Sequence, residues 1–357
     1  MPGSLDLILE NPAIWRGDQY AKVAVESVAT GFPELDAQLP GGGWPRAALT
    51  ELLVNRPGEV WIEQRGAMTR HDAPAVDDAL LQRLAEQVAR ISHQGISRER
   101  PLLAAMLPNG ARVQFVAPTA TRAHWALAIR RHCLLDLPLE AYGNGPLRPA
   151  AKSAPVSAEA DPIGFLREAV AERRTILISG GTSTGKTTFL NALLREVPKE
   201  ERVIVVEDTA EVQLHGPNDL GLIAVKGELG EALINTDDLL QAALRLRPDR
   251  ILLGELRGKE AVSFLRAVNT GHPGSFSTIH ANSTSGALEQ LALMVMQSGL
   301  GLSRTETIDY ARSVIDVVVQ LGREGAERKI VAIEELSLTI PPREPTLRGA
   351  LDKLRAA

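Results

Sequence analysis

Residues 178–194 read ISGGTSTGKTTFLNALL, and the fold class can be inferred from them. It contains the spacing Gly-x4-Gly-Lys-Thr, in which Gly180 is followed by Gly185, Lys186 and Thr187. An apolar run precedes the loop and a helical pattern follows it, which is the strand–loop–helix context of a phosphate-binding loop. Glycines let the backbone curl so that N–H groups face phosphate oxygens, and the start of the helix adds partial positive charge. The stretch therefore predicts a nucleotide-binding α/β domain.

The predicted phosphate contacts cover the whole loop. Lys186 is expected to reach the β- and γ-phosphates, and the hydroxyl of Thr187 is expected to join the shell of a Mg²⁺ ion. ATP and Mg²⁺ are therefore the predicted ligands. The predicted ATP-binding residues of the loop are Gly180, Gly181, Thr182, Ser183, Thr184, Gly185, Lys186, Thr187 and Thr188.

Short apolar strands alternate with helical segments throughout the C-terminal half. Unbroken aliphatic runs are typical of parallel strands that are buried on both faces. The predicted strands cover residues 175–179, 203–207, 222–225, 250–255, 275–279, 315–320 and 330–336. The fold class that follows is α/β, with a C-terminal P-loop domain built on a mostly parallel sheet.

The N-terminal half predicts a smaller α+β domain. Hairpins are expected at 50–64 and 102–118, a helix at 77–92 and a strand around 124–132. The helix would bury Leu80, Leu81, Leu84, Val88 and Ile91. Because Gly, Pro, Ala and Ser dominate 141–162, that stretch is predicted to be a linker and hinge. The predicted organisation is an atypical segment 1–49, domain 50–140, linker 141–162, ATPase domain 163–340 and tail 341–357.

Composition narrows the function classes. The chain of 357 residues has a net charge of −5, which argues against general coating of nucleic acid. A single cysteine, Cys133, excludes an internal disulfide framework and fits a reducing compartment. No apolar run reaches the roughly 18 residues of a membrane-spanning helix, and the first residues lack a signal-peptide pattern. We expect a cytoplasmic protein, and any membrane association is expected to be peripheral or through a partner.

Carboxylates follow two of the predicted strands. VIVVEDTAE (203–211) supplies Glu207, Asp208 and Glu211, and RILLGELRG (250–258) supplies Glu255. Since the carboxyl ends of parallel strands face the ligand crevice, these side chains are candidates for holding Mg²⁺ and orienting water. A solvated acidic strand end is the other interpretation. His280, at the end of another strand, fits either a γ-phosphate sensor or a structural histidine.

Four ordered blocks together resemble the secretion-superfamily traffic ATPases, above all the hexameric ATPase of type IV secretion and conjugal transfer, the TrbB/CpaF-like group. The N-terminal stretches VNRPGEVWIE (54–63), GARVQFVAP (110–118) and LAIRR (127–131) are similar to that family's first domain. The four blocks are GGTSTGKTT (180–188), VEDTAEVQL (206–214), LRLRPDRILLGELRG (244–258) and TGHPGSFSTIHANS (270–283).

The resemblance implies roles for individual residues. Glu255 would orient or activate the attacking water, and Glu211 would help to place Mg²⁺ and water. His280 would sense the nucleotide state. Arg112 and Arg130 would reach the nucleotide from the N-terminal domain, although the adjacent arginine at 131 could take the place of Arg130.

The resemblance also implies a RecA-like fold for the P-loop domain and indicates how the protein works. The chain would form a homohexameric ring that hydrolyses ATP and moves its domains to power substrate translocation or pilus assembly. It would act with inner-membrane secretion or conjugation components at the inner face of a bacterial inner membrane. No sequence-specific nucleic-acid binding is expected. A pilus assembly or retraction ATPase of the same superfamily is an alternative, and the sequence distinguishes it poorly from a secretion ATPase.

Residues 1–52 depart from this family. The stretch ESVATGFPELDAQLPGGGWPRAALTELL (26–53) resembles the lead segment of RecA-like proteins, nearest to the SulA/ImuA-type accessory proteins of translesion DNA synthesis. A RecA-like DNA-repair accessory protein is therefore the alternative from a different class. DNA-stimulated ATP hydrolysis without membrane partners would favour it.

Overall fold

The computed structural model describes residues 27–28, 44–45, 49–64, 67–74, 76–107, 110–130, 157–224, 234–324 and 327–336. These residues form two compact units. The first unit lies within Met1–Pro155 and Asn191–Gly254, and the second within Val156–Leu190 and Glu255–Ala357. Most of the predicted N-terminal segment, linker and tail lies outside the described residues, and the predicted domain boundaries stay a prediction.

The N-terminal part of the first unit is a six-stranded antiparallel sheet packed on one helix. The strand order is β5-β4-β3-β8-β7-β6. Helix α1, Asp78–Ile91, is capped by the preceding residue Asp77, whose side chain accepts a hydrogen bond from the N–H of Leu80 at 2.7 Å. The strands are β3 Leu49–Val54, β4 Gly58–Gln64, β5 Ala67–Ala73, β6 Leu102–Met106, β7 Arg112–Val116 and β8 Ala126–Arg130. A separate pair, β1 Ser27–Val28 and β2 Trp44–Pro45, is also antiparallel.

This sheet confirms the predicted hairpins and helix. β3 pairs antiparallel with β4, and β6 with β7. The apolar face of α1 is buried against the sheet with one exception, because Ile91 at the last turn is 46% exposed. The prediction that Ile91 is a core residue was wrong, since the helix ends at that residue.

The rest of the first unit contains three neighbouring parallel strands in the order β11-β10-β12. They are β10 Val203–Glu207, β11 Leu220–Ile223 and β12 Arg250–Leu256, the last of which continues into the second unit. Helix α4, Thr236–Ala243, begins with a capping box made by Asn235 and Asp238. The strand predicted at 222–225 begins two residues earlier than expected.

The second unit is built on the strand order β13-β9-β14-β15. The strand β9, Ile176–Gly180, lies between β13, Phe276–Ile279, and β14, Val317–Glu324, and is parallel to both. β15, Glu327–Glu335, closes the group as an antiparallel hairpin with β14. The helices that begin in this unit are α2 Pro162–Ala171, α3 Lys186–Leu194, α5 Glu260–Asn269, α6 Thr284–Gln297 and α7 Arg304–Val314.

The parallel pairings confirm the predicted α/β class with a mostly parallel sheet. Every residue of β9, β10 and β13 is buried, as the unbroken apolar runs predict. In the part of the chain that the structure describes, no helix is long and apolar enough to cross a membrane.

Candidate active site

The phosphate-binding loop joins β9 to α3 within the second unit. β9 ends at Gly180 and α3 begins at Lys186, as the motif predicts. Two residues between them take positive φ angles, Ser183 at 65° and Gly185 at 86°. The hydroxyl of Thr184 donates to the carbonyl of Gly181 at 2.9 Å and braces the loop. The backbone therefore turns tightly in front of the first turn of α3, whose N–H groups have no partner within the helix.

Gly180 is required by a close approach of the loop to itself. A Cβ at this residue would lie 2.4 Å from the hydroxyl of Thr184 and 3.2 Å from the carbonyl oxygen of Leu321. No Cβ fits at the first distance, so any other residue would displace the hydroxyl of Thr184, which braces the loop. The first glycine of the motif therefore keeps the loop compact.

Lys186 is turned toward the loop that precedes it. Its ammonium donates to the carbonyls of Gly180 at 3.0 Å and Gly181 at 3.1 Å, and it lies 3.2 Å from Nδ1 of His280. Only 9% of the residue is exposed. Burial lowers the pKa of Lys186, and the negative charge of Glu255 opposes that shift. A buried ammonium that contacts only two carbonyls and an imidazole, and that hydrogen-bonds no carboxylate of the described residues, is well suited to exchange these contacts for an anionic ligand.

Glu255 and His280 complete a cluster around this lysine. Nε2 of His280 lies 2.7 Å from Oε1 of Glu255, at ion-pair distance but without the alignment of a hydrogen bond. The other carboxylate oxygen accepts a hydrogen bond from Nε of Arg257 at 2.6 Å. The Glu255 side chain is 17% exposed and that of His280 is 50% exposed. The structure thus brings three predicted site residues, Lys186, Glu255 and His280, into one cluster.

The other hydroxyl residues of the loop and of the first turn of the helix differ in exposure. Thr182, Ser183 and Thr188 are exposed, whereas Thr187 is half-buried directly after Lys186. A hydroxyl in that position can join a metal shell while the ammonium contacts the same phosphates. The donor set fits the ligands that the sequence predicts.

The acidic block 206–214 belongs to the first unit. Glu207 is buried, and its Oε2 accepts from the backbone N–H groups of Glu211 at 2.9 Å and Val212 at 3.0 Å. Its Oε1 accepts from the guanidinium of Arg122. The side chain of Glu207 therefore stabilises the loop that follows β10, whereas the Glu211 side chain is exposed. The predicted metal role of Glu211 stays a prediction.

Arg112 and Arg130 also lie in the first unit, opposite each other on β7 and β8. The guanidinium of Arg130 pairs with Glu51 on β3. Burial raises the pKa of Glu51, while the hydrogen bond and charge of Arg130 act in the opposite direction. Arg130 thus has a partner in its own sheet, and the nucleotide contacts of both arginines stay predictions. The arginine at 131 lies outside the described residues.

Sequence reasoning missed Arg122. Besides Glu207, its guanidinium donates to the carbonyl of Val212 at 2.7 Å, so it holds both ends of the acidic loop. The side chain passes so close to Gly221 that a Cβ there would lie 2.3 Å from its Nε. Only the tertiary structure brings these residues together, so no local sequence signal could have found them.

The chain has clear relatives. The family model for type II/IV secretion system proteins matches residues 45–329. The type IV secretion system protein PtlH of Bordetella pertussis is 38% identical over 310 residues, which cover 81% of this chain and 90% of that protein. The type IV secretion system protein VirB11 of Brucella suis is 38% identical over 293 residues, which cover 76% and 81%.

The structure has a similar counterpart among solved structures. The crystal structure of the VirB11 ATPase from the Brucella suis type IV secretion system, in complex with sulphate, superimposes with a TM-score of 0.73. The matched parts are 35% identical and cover 81% of this chain and 92% of that chain. The likeness therefore extends over most of both chains.

Proposed function

The chain belongs to the type II/IV secretion system protein family, and from that premise we propose that it is the ATP-hydrolysing motor of a type IV secretion or conjugal transfer system. Its work is substrate translocation or pilus assembly, powered by domain motions in a ring. The relatives named as type IV secretion system proteins support this assignment because they match four fifths of the chain.

One observation carries the catalytic part of the proposal. Lys186, Glu255 and His280 form a single cluster at the phosphate-binding loop. The N–H groups of the loop and of the first turn of α3 bind the phosphates, and Lys186 leaves the carbonyls of the loop for phosphate oxygens. Glu255 then orients the attacking water, and His280, which contacts both other side chains, links nucleotide occupancy to the position of Glu255.

Mg²⁺ is the metal that we assign to this reaction. When bound, it neutralises charge on the phosphate oxygens. Thr187 would hold it through its hydroxyl, since that residue is half-buried beside Lys186, and Glu211 would be the carboxylate that assists. Mg²⁺ usually keeps several waters and needs only one or two protein ligands, which fits so small a set.

The family membership also supports a proposal for assembly and location. We assign a homohexameric ring that acts with inner-membrane secretion or conjugation components, on the cytoplasmic side of a bacterial inner membrane. The names of the relatives place those proteins in type IV secretion systems, which supports this context.

A complementation experiment tests the proposed function. In a strain that lacks the gene, the wild-type chain should restore transfer of the system's substrate. Lys186→Ala should not restore it, whereas Lys199→Ala, which changes an exposed lysine outside the loop, should behave as wild type. Full transfer with Lys186→Ala would refute the proposal that ATP hydrolysis by this chain powers transfer.

A further inference from the structure

The hairpin β14–β15 passes beside the phosphate-binding loop. β14 is parallel to β9, and Leu321 stands opposite Gly180, the residue at which β9 enters the loop. β15 then returns antiparallel to β14, with Arg328 opposite Arg323. Residues near the start of β15 are therefore carried to the same end of the sheet as the loop.

Arg328 covers the last glycine of that loop. Its Cδ lies 2.8 Å from the position that a Cβ on Gly185 would take, and its Nε and Nη1 lie 3.5 and 3.7 Å from the same position. A larger residue at 185 would have to displace this side chain, and the φ of 86° there is strained for residues other than glycine. The stem of Arg328 thus rests on the backbone of the loop, with its guanidinium close by.

Within the described part of the chain, no carboxylate pairs with this guanidinium. Among the described residues, Arg328 makes no hydrogen bond or ion pair, whereas its neighbour Lys329 donates to Glu324 at 2.5 Å. The residue is exposed, so a ligand can reach it. A guanidinium presents a planar fork of donors that matches a phosphate group, and such charge-assisted bonds are among the stronger ones in proteins.

We propose that Arg328 is a nucleotide-binding residue, which contacts the phosphate chain from the C-terminal hairpin and supplements Lys186. This inference rests on the proposed binding of ATP at the loop. It adds a cation from a strand far along the chain to a site whose other phosphate ligands come from the loop and the helix after it. Nucleotide binding would then change the contacts of both the hairpin and the loop.

Calorimetric titration of the full chain with ADP in the presence of Mg²⁺ tests this inference. Arg328→Ala should weaken binding about tenfold, equivalent to about 1.4 kcal/mol, and Arg328→Lys should fall between that variant and wild type because it keeps the charge but loses the fork. Lys329→Ala is the matched control. Its side chain points to the opposite face of the same strand, and its affinity should stay within about twofold of wild type.

The outcomes separate the alternatives. Equal affinities of Arg328→Ala and wild type would overturn the inference, and so would tighter binding, which would make the arginine a competitor of the nucleotide. An equal loss in Arg328→Ala and Lys329→Ala would also overturn it, since the hairpin as a whole would then be responsible. If wild type itself bound no ADP, the proposed function would fail first, and this inference with it.

Discussion

Removing the side chain of Arg122 should destabilise the first unit, because this arginine is paired with the buried carboxylate of Glu207. The variant Arg122→Ala leaves the carboxylate of Glu207, whose side chain is 3% exposed, without its cationic partner. Breaking a buried ion pair in this way costs about 3–5 kcal/mol. The two backbone N–H groups that still bind Glu207 reduce the loss, and Arg122 is itself 25% exposed. We therefore expect the free energy of unfolding to fall by about 2–3 kcal/mol.

Urea denaturation followed by tryptophan fluorescence is the appropriate assay. All four tryptophans lie in the N-terminal part of the chain, and Trp61 and Trp125 are buried in the first unit. The control is Arg195→Ala, an exposed arginine of the same unit whose contact with Gln213 is 3.4 Å long. It should change the free energy of unfolding by less than about 0.5 kcal/mol.

A double-mutant cycle sharpens the test. Glu207→Gln should cost less in the Arg122→Ala background than in wild type, because its charged partner is already missing, with a coupling energy of about 1–3 kcal/mol. The interpretation that Arg122 and Glu207 together stabilise this loop would be wrong if Arg122→Ala changed the free energy of unfolding no more than the Arg195→Ala control. It would also be wrong if the effects of the changes at 122 and 207 were additive.

Three further predictions follow. Glu255→Gln should bind ADP as wild type does but hydrolyse ATP about 10²-fold more slowly, as measured by titration with ADP and by phosphate release. If binding and turnover fell together, Glu211 would become the better candidate for orienting the water. Burial favours a higher pKa for Glu59, but hydrogen bonds from Arg70, Arg56 and Trp61 outweigh it and lower the pKa below 4.5. Urea denaturation should therefore show that Glu59→Gln lowers the free energy of unfolding by its full amount above pH 4.5, and that this difference from wild type vanishes as the pH falls through the lowered pKa. A difference that did not change with pH would contradict this. Deleting residues 1–46 should leave the rate of ATP hydrolysis within about threefold of wild type. Deletion through Asn55 removes β3 from between β4 and β8 and should unfold the sheet. Loss of activity with the shorter deletion would mean that residues 1–46 belong to the ATPase architecture.

Local patterns predicted most of the fold. The strands β9, β10 and β13 lie where unbroken apolar runs placed them, and the phosphate-binding loop lies where its motif placed it, because both signals are contained in a few consecutive residues. Boundaries were less accurate. The start of β11 and the exposure of Ile91 depend on what packs next to them, which periodicity does not encode.

Contacts between distant residues could not be predicted in this way. Arg122 and Glu207 are 85 residues apart in the chain, and Arg328 reaches Gly185 only because β14 pairs with β9. Both arginines look like ordinary surface residues in the sequence. The role of Glu207 shows the same difficulty, since a carboxylate that follows a strand was a candidate metal ligand until its hydrogen bonds were known.

The rate at which the purified chain releases phosphate from ATP is the decisive measurement. We predict that wild type hydrolyses ATP and that Lys186→Ala, at equal concentration and with an unchanged circular dichroism spectrum, loses the activity. Lys186 makes its hydrogen bonds to the carbonyls of the loop itself, so its loss should spare the core of the unit. Turnover by Lys186→Ala near that of wild type would contradict the assignment of the loop as the catalytic nucleotide site.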